Sequence, residues 1–153
     1  MTFPELIHAK AEAAAKIKRR QYFVRMFKPR FAPLVEAGTK LQTIRPVPKR
    51  MPRPGDTVSL RAWTGRPMWS KMRVLREARI TGVSDILIAR DRVWYGGLAP
   101  YKLTTTRDLN DFARDDGFKF WQDMVAWFEA EHGLPFKGIL IAWEAKTPGK
   151  IVA

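Results

Sequence analysis

The chain of 153 residues contains no cysteine. That absence excludes a disulfide framework, a thiolate zinc site and a cysteine nucleophile, and it fits a reducing compartment such as the cytoplasm. Histidine is nearly absent too. His8 and His132 stand far apart, read as surface residues, and make no metal constellation, so no metal or other cofactor is expected. Hydrophobic runs are short: none approaches the roughly 18 apolar residues of a membrane span. The opening MTFPELIHAKAEAAAKIKRR lacks the uninterrupted apolar core of a signal peptide. The expectation is a soluble, cytoplasmic protein without a membrane partner. Carboxylates are scarce as well, with 15 Asp and Glu against 28 Lys and Arg, a formal net charge of +13.

An excess of that size implies a polyanionic partner or strong steering of an anionic substrate, because each phosphate neutralised releases condensed counterions. The basic residues are also clustered. Lys16, Lys18, Arg19 and Arg20 close the first segment, Lys49, Arg50 and Arg53 follow Arg45 in a proline-rich loop, and Arg66, Lys71 and Arg73 lie in the next stretch. They are the candidate nucleic-acid surface; the plain alternative is a set of solvated faces that keeps the protein soluble.

The length suits one domain able to bury its own core. Residues 1–20 read as an alanine-rich helix with a basic end, a helical N-terminal extension. Residues 21–146 form the domain, and 147–153 a tail. YFVRMF has strand composition; FAPLVEAG reads as a short helix capped by Gly38; QTIR is strand, held out of helix by Pro46. TVSLRAW alternates as a half-buried strand. A turn at Gly65 and Pro67 leads into a further strand, and ARITGVSDILIA supplies another or a bent pair. RDRVWYGGLAPYKLTTTRDLN reads as an irregular inserted loop beside the site. DGFKFWQDMVAWFEAEHG is the clearest helix, its apolar residues Phe118, Trp121, Val125 and Phe128 spaced by three and four, and GILIAWE closes the domain as a strand. The pattern predicts an α+β fold, a small and mostly antiparallel barrel.

GTKLQTIR, PGDTVSL, FARDDGF, the aromatic helix and GILIAWE, in that order, resemble the ASCH domain family of the PUA-like superfamily, over roughly residues 22 to 145. The resemblance implies a PUA-like β-barrel with helices over its ends and a cleft lined by the G-x-K-x-x-T-x-R motif. It also implies a function among RNA-associated modules, a proposed ribonuclease and small amidohydrolases that deacylate N4-acetylcytidine. The catalytic lysine, threonine and carboxylate of those hydrolases fall on Lys40, Thr43 and Asp116, and the motif arginine on Arg45. Asp116 stands where those hydrolases carry a glutamate, and Asp115 next to it leaves the register open by one.

The chemistry of such a trio can be argued on its own terms. A threonine hydroxyl attacks an acyl carbon only if its proton is removed, and a lysine can remove it when desolvation or a second cation lowers its pKa. Arg45 is the natural second cation, and in a strand it faces the same way as Thr43. Asp116 could orient Lys40 or protonate the leaving amine, although a carboxylate beside a lysine also favours the ammonium. Each residue has a plainer counterpart. Lys40 could be a solvent-facing lysine, Thr43 an ordinary strand threonine, and Asp115 or Asp116 an N-cap for the following helix. Trp94 and Tyr95, beside two glycines, are candidates for substrate stacking or for packing.

Two functions follow. One is an amidohydrolase acting on N4-acylated cytosine or cytidine. The other is an RNA-binding module that holds a base or RNA end without catalysis, with a weak ribonuclease using Lys40 and Arg45 as a lesser variant.

Overall fold

The computed structural model describes residues 3–7, 19–96 and 101–146. Lys16, Lys18, His8 and the tail 147–153 lie outside them. Three helices, α1 (Ala32–Ala37), α2 (Thr106–Asp115) and α3 (Trp121–Glu131), accompany seven strands: β1 (Tyr22–Met26), β2 (Gln42–Arg45), β3 (Thr57–Trp63), β4 (Met72–Ala89), β5 (Arg92–Tyr95), β6 (Tyr101–Leu103) and β7 (Phe136–Trp143). Residues 3–7 are also helical, and Ile7 is buried in the same core as the domain. No helix among the described residues is long and apolar enough to cross a membrane.

The fold is α+β, with one mixed, mostly antiparallel sheet. β1 and β3 run parallel, which the crossover through α1 and β2 between them permits; every other pairing is antiparallel. The sheet is not closed, because β1 and β2 form no ladder with each other among the described residues. A side chain spans that gap instead: Arg45 Nη2 on β2 donates to Met26 O at the end of β1, at 2.6 Å.

β4 is the spine. Residues 72–79 of it pair with β3, 80–88 with β7 and 86–89 with β5. The sequence reading divided this stretch in two. The chain instead stays extended for 18 residues and changes partner at an irregularity between Ile80 and Gly82, as a bulge permits without ending the strand.

The expected loop over 91–110 is corrected as well. Arg92–Tyr95 and Tyr101–Leu103 are paired strands, with Val93 fully buried and Tyr95 packed on Tyr101 and Phe112 at 5.7 and 5.8 Å. Trp94 and Tyr95 thus belong to a ladder. Of the two glycines that signal a loop, Gly96 marks the end of β5, turning at φ 109°, and the other lies outside the described residues.

The proline-rich loop before β3 hangs on one buried carboxylate. Asp56 accepts from Gln21 N at 2.9 Å, Gln21 Nε2 at 3.1 Å and Arg53 N at 3.0 Å. Asp56→Ala should therefore cost about 3 kcal/mol, since it leaves the backbone donors of Gln21 and Arg53 without that partner, while Gln21 Nε2 keeps Met51 O. A melting temperature within 2 °C of the parent, at about 2–4 °C per kcal/mol for a chain of this size, would contradict that role.

Candidate active site

The motif segment is clamped at both ends. Gly38 caps α1 in the left-handed region, at φ 84°, a conformation glycine adopts without strain. Thr39 N and Lys40 N both donate to Leu34 O, at 2.9 and 3.1 Å, Leu41 N donates to Asp115 O at 2.9 Å, and Trp143 N to Leu41 O at 3.1 Å. Lys40 is thereby turned inward rather than into solvent.

Asp116 arrives from the other side. The sequence suggests a helix start at DDGF, where either aspartate could serve as an N-cap; it is a helix stop. Asp116 is the C-cap of α2, Gly117 follows at φ 97°, and Gly117 N and Phe118 N donate to Arg114 O and Ala113 O at 3.0 and 2.9 Å. That pair of bonds is the Schellman arrangement. α3 begins only at Trp121, whose N–H is taken by Asn110 Oδ1 of α2 at 2.8 Å. A signal for α2 was present in the sequence: Thr105 stands three residues before Asp108 and accepts from its N–H at 3.2 Å, as a threonine N-cap does.

Lys40, Thr43, Arg45 and Asp116 line one cavity of about 240 Å³. Asp115 is exposed and does not line it. Lys40 and Asp116 are each only 3% exposed. Lys40 Nζ donates to the backbone carbonyl of Asp116, lies 3.5 Å from its Oδ1, and sits over the Phe31 ring at 4.8 Å. Asp116 Oδ1 and Gln42 Nε2 are buried without a hydrogen-bond partner among the described residues. Thr43 and Arg45 meet as their common facing predicts: Arg45 Nε donates to Thr43 Oγ1 at 3.1 Å.

The electrostatics follow from burial. Desolvation pulls Lys40 below the ordinary lysine range; Asp116 opposes this and the charge of Arg45 adds to it. Desolvation pushes the Asp116 carboxyl up to about 6, against the pull of Lys40, Gln42 and Arg45. Arg45 comes down to about 10, through burial and then the charge of Arg25, and stays a cation at neutral pH. Both members of the Lys40–Asp116 pair are thus pushed toward their neutral forms.

Phe27, Phe31 and Trp127 are among its apolar walls, and Lys28, Glu131 and His132 are among its polar ones. Lys28 Nζ bridges to Glu131 Oε1 at 2.8 Å. His132 is exposed, as a surface residue should be, and still borders the cavity. Trp127 stands at the edge of the buried stripe, one residue before Phe128, and periodicity alone does not say which edge residue meets a cavity. Trp94 and Tyr95 lie outside the cavity lining. A second, wider hollow of about 1010 Å³ shares Trp127 with the first and is lined by Arg30, Arg114, Gly117, Lys119 and Phe120 among others.

Several expected surface cations are occupied within the fold. Arg20 donates to Gly55 O, Arg50 to Tyr22 O and Arg53 to Arg19 O, at 2.7, 2.9 and 2.7 Å, while Arg73 pairs with Glu36 at 2.7 Å. Arg19, Lys49, Arg66 and Lys71 are exposed and enter no ion pair among the described residues. No protein-family model matches the chain, and neither does any curated protein or solved structure.

Proposed function

We propose that the chain is an ASCH-type amidohydrolase on a PUA-like fold whose sheet stays open between β1 and β2, deacylating N4-acyl cytosine or cytidine through Lys40, Thr43 and Asp116. The observation that carries this reading is the convergence of those residues and Arg45 on one cavity. A volume of about 240 Å³ is below the ~300–1,000 Å³ of pockets for drug-sized ligands, which suits a single base between aromatic walls.

In this mechanism Thr43 Oγ attacks the acyl carbon and its proton passes to neutral Lys40. Arg45 Nε, already donating to that oxygen, stabilises negative charge developing on it. Asp116 delivers its proton to N4 as the C–N bond breaks, and the free amine leaves. Water then attacks the threonine ester, giving a proton to the Asp116 carboxylate while Lys40 returns its own to Thr43 Oγ, and the carboxylic acid departs. The competent state is the singly protonated pair in the tautomer that places the proton on Asp116 and leaves Lys40 neutral. The worry that a carboxylate locks the lysine as ammonium is reduced here, because burial favours the neutral pair.

The pH dependence has a definite sign. Below about 6 both groups are protonated and no base exists. The rate should rise as pH passes about 6 and fall again where the pair loses its remaining proton, below the ordinary lysine value. Asp116→Asn should remove the acid limb and lower turnover by roughly 100-fold or more. Turnover of N4-acetylcytidine followed by absorbance between pH 5 and about pH 10 checks both, and an unchanged acid limb in the variant would overturn the assignment of Asp116. The +13 charge favours the alternative, a binding module. Saturable binding of acetylcytidine with no cleavage by the purified protein decides for that module.

A further inference from the structure

The turn between β3 and β4 carries the two most exposed large hydrophobic residues described, Met68 at 80% and Trp69 at 78%. Single exposed apolar side chains are ordinary. Two adjacent ones at the tip of a hairpin are not, and this tip is built to hold them out. Thr64 N and Thr64 Oγ1 both donate to Lys71 O at 2.9 Å, Ser70 Oγ donates to Arg66 O at 2.8 Å and accepts from Gly65 N at 3.0 Å, and Trp69 N donates to Arg66 O at 3.1 Å. Met68 sits at φ 70°, a conformation uncommon for a residue with a side chain. Local strain held by a surrounding network is a mark of functional segments.

The charge around the tip is of one sign. Residues 57–76 contain five cations and no carboxylate. Arg61, Arg73 and Arg76 are engaged with Ser59, Glu36 and Glu144 O respectively, which leaves Arg66 and Lys71 on either side of the apolar tip without an ion pair among the described residues. The partner is therefore anionic and presents flat apolar faces. We propose that this hairpin is a stacking finger for single-stranded nucleic acid: a base stacks on Trp69, Met68 wedges against its neighbour, and Arg66 and Lys71 take the flanking phosphates. A lipid surface is the poorer match. The Arg66 guanidinium lies beside the Trp69 ring, 5.2 Å from its centre, so the ring cannot enter an acyl layer without carrying that charge in. A stacked base leaves the guanidinium at phosphate level. The inference is independent of the reaction proposed for the cavity.

The test is fluorescence anisotropy of a short labelled oligouridylate with the full chain. Trp69→Ala should weaken binding about 10-fold or more, as loss of one stacked base does, and Trp69→Phe should recover part of it. Arg66→Gln with Lys71→Gln should reduce the slope of log affinity against log salt by roughly 1.4, at about 0.7 per phosphate for single strands. Deacylation and melting temperature should stay at parent values in all of these, since the tip is exposed. Four results would overturn the finger: no binding of the oligonucleotide by the parent protein; equal affinity in parent and Trp69→Ala; Trp69-dependent binding to phosphatidylserine vesicles but not to RNA; or a Trp69-dependent dimer in light scattering that leaves RNA affinity unchanged.

Discussion

Lys40→Met should lower the deacylation of N4-acetylcytidine by about 1,000-fold, the range expected when a buried acid–base group is removed. Thr43→Val should match it, while Thr43→Ser, which keeps a hydroxyl, should retain a measurable fraction. Methionine is chosen because it fills the lysine stem's space beside Phe31 without a charge. The Asp116 carbonyl loses a donor, at about 1–3 kcal/mol. The Asp116 carboxyl, already raised by burial, loses the Lys40 charge that pulls it down and can take up a proton instead of standing as an unpaired charge, so the fold should survive and circular dichroism should show it. The pattern across the three variants separates roles. Loss in Lys40→Met with activity kept in Thr43→Val would make water the nucleophile and Thr43 a positioning residue. Turnover within about threefold of the parent in Lys40→Met would remove Lys40 from the chemistry altogether.

Much of this site was legible before the structure, and for a physical reason. The facing of Thr43 and Arg45 is a local property of a strand with period two, and Gly38 marks the end of α1 through the conformation that only glycine adopts freely. Lys40 was not legible as a buried residue. A lysine is almost never fully buried unless paired, and its partner comes from 76 positions along the chain. The reading of Asp116 failed on direction: an Asp–Gly pair between two helices fits a start or a stop equally well, and only the bonds of Gly117 and Phe118 back to α2 decide it. The continuity of β4 was hidden because Gly82 looks like punctuation in one dimension and is a bend in three. Thr105, three residues ahead of Asp108, was a readable start for α2, masked by the loop-like glycines before it.

Gly138→Ala should be the most damaging small substitution in the domain, at about 4 kcal/mol, above the ~1–3 kcal/mol usual for overpacking. A β-carbon there would lie 2.3 Å from the backbone oxygen of Arg45 and 2.9 Å from two ring carbons of Phe136. The oxygen belongs to β2, the strand antiparallel to β7, so the clash can be relieved only by forcing the two strands apart. That displacement carries Arg45 with it, and with Arg45 both the bond to Thr43 Oγ1 and the tie to Met26 O. The melting temperature should fall by about 8–16 °C, and activity should fall even where the protein remains folded. Gly82→Ala is the control, because nothing lies within 4 Å of a β-carbon built there. Equal losses at the two glycines would show that Gly138 has no special place between the strands.

Because one strand, β4, serves as partner to β3 at one end and to β7 and β5 at the other, the amide protons of both halves of the sheet depend on the same backbone. The two halves bond to separate stretches of it, 72–79 and 80–89, but the strand runs unbroken from one to the other, so displacing it in either half pulls on the other and couples their openings. The catalytic candidates on β2 hang from β7, and the Trp69 turn joins β3 to β4. Both are therefore held by the cooperativity of the whole domain.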